Sequence, residues 1–145
     1  MGPHDWDEAG APLFLTPNPG LNSGFMITQY VAAALVNELK ILAHPASIDS
    51  IPTSAGMEDF NSMGATSAHK ALSILELAHQ VIAIEFMCAA QMLEFRKPLK
   101  PGVGVQKAFE IVRLYVTKLE HDRVLAHDIA NLARAIKQGA FEVVE

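Results

Sequence analysis

Residues 21–42 read LNSGFMITQYVAAALVNELKIL, an apolar run with charge only at Glu38 and Lys40. Asn22 or Ser23 could cap a helix here, and Pro45 lies beyond its end, so residues 21–42 are expected to form the first helix. Its centre, residues 30–36, is apolar around the whole circumference, and a helix of that kind must be covered on several sides. The pattern then breaks at AHPASIDSIPTSAGMEDF. Pro45, Pro52 and Gly56 interrupt regular structure there, while Ser47, Asp49, Ser50, Thr53 and Ser54 can close local side-chain turns. Connections inside compact chains usually run ~4 to 6 residues, and a longer polar one is a first place to look for a site.

From Asn61 to Lys97 the helical pattern is uninterrupted, with Asn61 or Ser62 placed to cap it and Pro98 to end it. A helix over residues 61–97 would be roughly 55 Å long. A chain of this size has a radius of gyration of roughly 15 Å, so part of that helix needs cover from protein outside the chain. After PLKPGVG, residues Val105, Ala108, Phe109, Val112, Tyr115, Val116 and Leu119 fall on one face of a third helix over 104–119. Lys107, Glu110, Arg113 and Lys118 are expected to face water. A fourth helix over 127–138 places Ile129, Leu132, Ala133 and Ile136 on one side and stops at Gly139. Residues 1–20 carry four prolines and three glycines and form an irregular lead-in. The expectation is an all-α fold: a bundle of long helices over 21–145, with an extended loop before the longest helix and no convincing strand.

Composition narrows the partners. Half of the residues are hydrophobic and the net charge is −5, which leaves no basic stripe for a phosphate backbone and argues against nucleic acid. The most apolar stretch, residues 81–95, is interrupted by Glu85, Gln91 and Glu94 and falls short of the ~20 residues of a membrane helix, so no membrane contact is expected. Residues 1–12 hold Asp5, Asp7 and Glu8 and no apolar run, unlike a secretory signal. One cysteine, Cys88, rules out a disulfide framework within the chain and points to the cytoplasm; it is expected to be a small buried side chain rather than a reactive thiol.

The strings LNSGFMI, AALVNE, AHPAS and DSIPTSA, in that order between Asn18 and Ala71, resemble the C-terminal portion of the aromatic amino acid ammonia-lyases. MLEFRKP and DRVLAHDI extend the likeness to about residues 12–139. The resemblance implies a mostly helical tetramer whose active sites are shared between subunits. It also implies removal of ammonia from an amino acid by methylidene-imidazolone, an electrophile formed from an internal Ala-Ser-Gly. No Ala-Ser-Gly occurs here, and Ala46-Ser47-Ile48 and Ser54-Ala55-Gly56 do not replace it. The chain is therefore expected to hold no cofactor of its own and to be inactive alone.

In SAGMEDFNSMG, Glu58 occupies the place of a glutamate in histidine ammonia-lyases and of a glutamine in the phenylalanine and tyrosine enzymes. A carboxylate there can accept a charge-assisted hydrogen bond from an imidazole. Glu58 is the expected substrate-binding residue, with Met57 as the neighbouring pocket position; a glutamate merely capping the long helix is the plain alternative. Met57 stands where many histidine enzymes have glutamine and Gly56 where many have asparagine. Phe60-Asn61 is closer to the phenylalanine enzymes. His121-Asp122 and His127-Asp128 suggest metal ligands, but a six-residue spacing does not put both histidines on one helical face, and no metal is expected. The functional expectation is the C-terminal segment of a histidine ammonia-lyase, acting on L-histidine once joined by a separate upstream lyase chain, in a homo-oligomer. The competing readings are a self-associating helical module or degenerate remnant without enzymatic activity, and a fragment of a phenylalanine or tyrosine ammonia-lyase.

Overall fold

A computed structural model of the chain describes residues 10–48 and 50–142. Most of the lead-in with its acidic residues, Asp49 in the polar loop and the last three residues lie outside the described part. Among the described residues four helices follow one another: α1 Met26–Leu42, α2 Gly64–Phe95, α3 Val103–Tyr115 and α4 Ala126–Lys137. Two short 3-10 turns, Leu13–Leu15 and Ser54–Gly56, precede α1 and α2. Among the described residues there are isolated β-bridges and no strand, so the fold is all-α.

The core forms where α2 meets the other three helices. Ala83, Ile84, Met87 and Ala90 of α2 pack with Val112, Val116 and Leu119 from α3 and its exit, and with Ile129, Leu132 and Ala133 of α4. Gln91 sits in the middle of this apolar cluster and is fully buried. Its amide nitrogen donates to the carbonyls of Leu15 (3.1 Å) and Leu119 (2.8 Å), and its oxygen accepts from the Leu119 N–H (3.1 Å). One side chain thereby ties the lead-in and the segment after α3 to the long helix, and satisfies backbone groups that would be costly to bury unpaired.

α1 begins later than its candidate caps suggest. Neither Asn22 nor Ser23 caps it; instead the Asp122 carboxylate accepts hydrogen bonds from the N–H groups of Ser23 (2.8 Å) and Gly24 (2.9 Å). These bonds hold the Asp122 carboxyl below its ordinary range. Gly24 has φ +57°, and a Cβ there would meet the Phe14 carbonyl oxygen at 2.4 Å, so only glycine allows the lead-in to fold back this closely. α2 likewise starts at Gly64 without a side-chain cap, after Met63 in a left-handed conformation at φ +50°.

Two further expectations are corrected, and a third observation bears on α2. α3 ends at Tyr115, so Val116 and Leu119 enter the core from a non-helical segment, while Val105 and Tyr115 stay exposed. Arg113 does not face water: its guanidinium donates to Glu94 at 3.1 Å and lies 5.2 Å from the Phe109 ring centre, both ion-pair partners being largely covered. Burial would push the Glu94 carboxyl up, but Lys97 and Arg113 together bring it below its usual value. Finally, α2 taken whole is long and apolar enough to cross a membrane by length and composition, which its most apolar stretch alone had not shown. Near its C-terminal end that helix is held by protein contacts, through the buried Gln91 network and the covered Glu94–Arg113 pair.

At 32 residues α2 is about 48 Å long. Its first half, residues 64–76, is almost wholly exposed, with Leu72 and Leu75 bare. Along α1, Ile27, Tyr30 and Ile41 are bare as well, and within residues 30–36 this chain covers one side only, where Ala32 and Leu35 pack against the core. The most apolar stretch, residues 81–95, holds the most deeply buried residues of the helix.

Candidate functional site

The loop between α1 and α2 folds into a tight turn around Thr53 and Glu58. The Thr53 N–H donates to the Glu58 carbonyl (2.7 Å), and the Glu58 N–H donates back to the Thr53 carbonyl (3.2 Å). Between them Ser54, Ala55 and Gly56 all have positive φ, at 54°, 55° and 84°. For Ser54 and Ala55 the left-handed region costs roughly 1 kcal/mol or more each, and such strain tends to gather at functional positions. The Gly56 N–H to the Thr53 carbonyl and the Met57 N–H to the Ser54 carbonyl, both 3.1 Å, close the turn. Ser50 anchors the outgoing limb: its hydroxyl accepts from the Asn61 N–H (2.7 Å) and donates to the Asp59 carbonyl (3.2 Å).

The turn explains one departure noted in the sequence. The position of Gly56 demands a left-handed backbone, which glycine adopts freely and asparagine tolerates better than most residues. Nothing lies within 4 Å of where its Cβ would sit, so the demand is on the backbone and not on space.

Glu58 does not cap α2. Its carboxylate accepts a hydrogen bond from the Thr53 hydroxyl at 3.2 Å, and α2 has no side-chain cap. Glu58 and Met57 are both exposed, Met57 at 86%. They lie before the start of α2 and line neither of two clefts elsewhere on the chain. One cleft, of about 800 Å³, lies beside Leu93, Lys97–Lys100 and Phe109; the other, of about 500 Å³, lies between α1 and the start of α4 around Ile27, Leu125 and Ile129. Among the described residues, the two sequence-predicted site residues thus stand side by side on the outside of the turn, away from both clefts. The link from Thr53 to Glu58 escaped the sequence reading, because two loop residues five apart carry no periodic signal.

The rival groups are otherwise engaged. Asp122 holds the approach to α1, and Asp128 accepts from Arg123 at 2.9 Å. Among the described residues no three His, Cys, Asp or Glu side chains come together to hold a metal. The Cys88 thiol is pushed up to about 11, mainly by burial and secondarily by Glu85, which leaves it protonated and unreactive at neutral pH. The electrophile of the resembled family does not fit this chain. Its tripeptide is missing, and Ser54-Ala55-Gly56, of different order, is committed to the strained turn.

The fold and loop together define a class: a helical-bundle segment whose longest helix carries its core at one end and a bare apolar face at the other, next to a strained, outward-facing turn. The model of the aromatic amino acid lyase family matches residues 4–114, and the chain belongs to this family. The histidine ammonia-lyase of Natranaerobius thermophilus is 54% identical over 130 residues, which cover 90% of this chain and 26% of that protein. The histidine ammonia-lyase of Gloeobacter violaceus is 50% identical over 137 residues, covering 94% and 27%. Among solved structures, histidine ammonia-lyase from Trypanosoma cruzi superposes with a TM-score of 0.88 at 44% identity, covering 92% of this chain and 26% of that one. Tyrosine aminomutase from Streptomyces globisporus also gives 0.88, at 36% identity, with 93% and 26% covered. The chain therefore spans about a quarter of the length of the relatives it matches.

Proposed function

We propose that the chain serves as the C-terminal segment of a histidine ammonia-lyase, which deaminates L-histidine to urocanate and ammonia. Glu58 lends its carboxylate to the substrate pocket, with Met57 beside it. The observation that carries this reading is the outward presentation of Glu58 on a strained turn, in a chain about half identical to histidine ammonia-lyases. In that role the carboxylate accepts the imidazole N–H of the substrate and orients the ring, a contact a neutral amide makes more weakly. The bare faces of α1 and of the first half of α2 support assembly into a homo-oligomer with upstream lyase protein, in the cytoplasm. Without an Ala-Ser-Gly the 145-residue chain supplies no electrophile and turns nothing over by itself.

The test follows urocanate absorbance with the chain alone and then mixed with an upstream lyase segment containing Ala-Ser-Gly. Turnover only in the mixture is expected; turnover by the chain alone would overturn the reading. The same apolar face also favours a second reading, a self-associating module without activity. That module would form oligomers and fail to bind the upstream segment.

A further inference from the structure

We infer that Thr53 is a positioning residue for Glu58, fixing which carboxylate oxygen is offered to the substrate. The inference rests on the reading of Glu58 as the substrate contact and extends it to a residue outside the pocket pair. Three observations meet at this position. The Thr53 hydroxyl lies 3.2 Å from Glu58 Oε2. The backbones of the same two residues are joined by reciprocal hydrogen bonds of 2.7 and 3.2 Å. The residues between them are held left-handed, which brings the two ends of the turn side by side.

A hydroxyl has a single proton, so donation to Oε2 orients the carboxyl plane and leaves Oε1 to accept from a ligand. An exposed glutamate otherwise samples many rotamers, and fixing one before the substrate arrives lowers the entropy lost on binding. The contribution belongs to binding and orientation; no proton leaves Thr53 in the reaction. Ser50 steadies the same limb one step further on, through the Asp59 carbonyl and the Asn61 N–H, so Glu58 is flanked by two hydroxyl anchors.

Two measurements test this with three variants. In the full chain, the carboxyl carbon of Glu58 is observed by NMR at neutral pH in wild type, Thr53→Val and Thr53→Ser. The expected result is a displaced Glu58 carboxyl signal in Thr53→Val, recovery in Thr53→Ser, and unchanged amide signals for Gly56 and Met57, which shows that the turn itself survives. An unmoved carboxyl signal in Thr53→Val would overturn the proposal. In an enzyme assembled from this chain and an upstream lyase segment, Thr53→Val is expected to raise KM for histidine about fivefold, the equivalent of a hydrogen bond of about 1 kcal/mol, with kcat within about twofold. Glu58→Gln serves as the separate check on the underlying reading. If Glu58→Gln impairs turnover while Thr53→Val leaves KM alone, the positioning role fails and the substrate contact stands. If Glu58→Gln changes nothing, the substrate contact itself fails.

Discussion

The two halves of α2 are both rich in apolar side chains and meet opposite surroundings. In residues 81–95, Ala83, Ile84, Met87, Ala90 and Gln91 are buried among the lead-in, the start of α1, α3 and α4. In residues 64–76, Leu72 is 61% and Leu75 54% exposed, and facing α1 leaves Tyr30 at 69%. One continuous helix thus joins a finished core to an unfinished one. Burial of an apolar residue contributes free energy only where other atoms replace water, so Leu72 and Leu75 carry less weight in this chain than Ile84 and Met87. The candidate site sits at the unfinished end, where Thr53–Glu58 is shaped by its own hydrogen bonds and those of Ser50.

The largest effect that separates the halves is expected at Gln91. Replacing it by alanine leaves two carbonyls and one N–H without partners inside the core. Gln91→Ala should lower the unfolding free energy by about 2 to 4 kcal/mol in urea titration. A loss below about 0.5 kcal/mol would show that the finished end is not held by this network. In the strained turn, Gly56→Ala should cost about 1 kcal/mol from backbone conformation alone, since no atom lies near the added methyl. Ala55→Gly should relieve strain by a similar amount, and matching signs for the two changes would contradict the turn geometry.

At Asp122 the comparison sharpens with pH. Its carboxyl is depressed in the folded chain by the Ser23 and Gly24 N–H groups. A depressed carboxylate contributes stability that is present above its unfolded value, about 4, and is lost as pH falls through the lower folded value. Asp122→Asn should therefore melt below wild type at neutral pH, with the gap closing in acid. A gap that persists unchanged at pH about 2 would exclude the carboxylate as its source. The smallest effect on the chain's own stability is expected in the bare half. Leu75→Ser should shift its unfolding free energy by less than about 0.5 kcal/mol.

Much of this was legible in sequence, and the failures have physical causes. The four helices follow the apolar spacing, and the strings around Glu58 led to the family. The helix starts were misjudged because neither helix has a side-chain cap: Asp122 holds Ser23 and Gly24 ahead of α1, and a left-handed Met63 precedes α2, so Asn22, Ser23, Asn61 and Ser62 do not cap. Arg113 was assigned to water because helical spacing says nothing about a covered partner such as Glu94 on another helix. Which part of α2 this chain leaves uncovered was not readable, because apolarity marks what can be buried and not which neighbours this chain brings. For the site, residue identity at Glu58 was readable, whereas its link to Thr53 depends on three consecutive left-handed residues.

The central claim is that the face formed by α1 and the first half of α2 is built to lie against other protein. Sedimentation velocity of the full chain at micromolar concentration, beside Leu72→Glu/Leu75→Glu, tests it most directly. An oligomer for the unchanged chain and a folded monomer for the double variant are expected. A chain that sediments as a monomer throughout, with its apolar face open to water, would contradict the account.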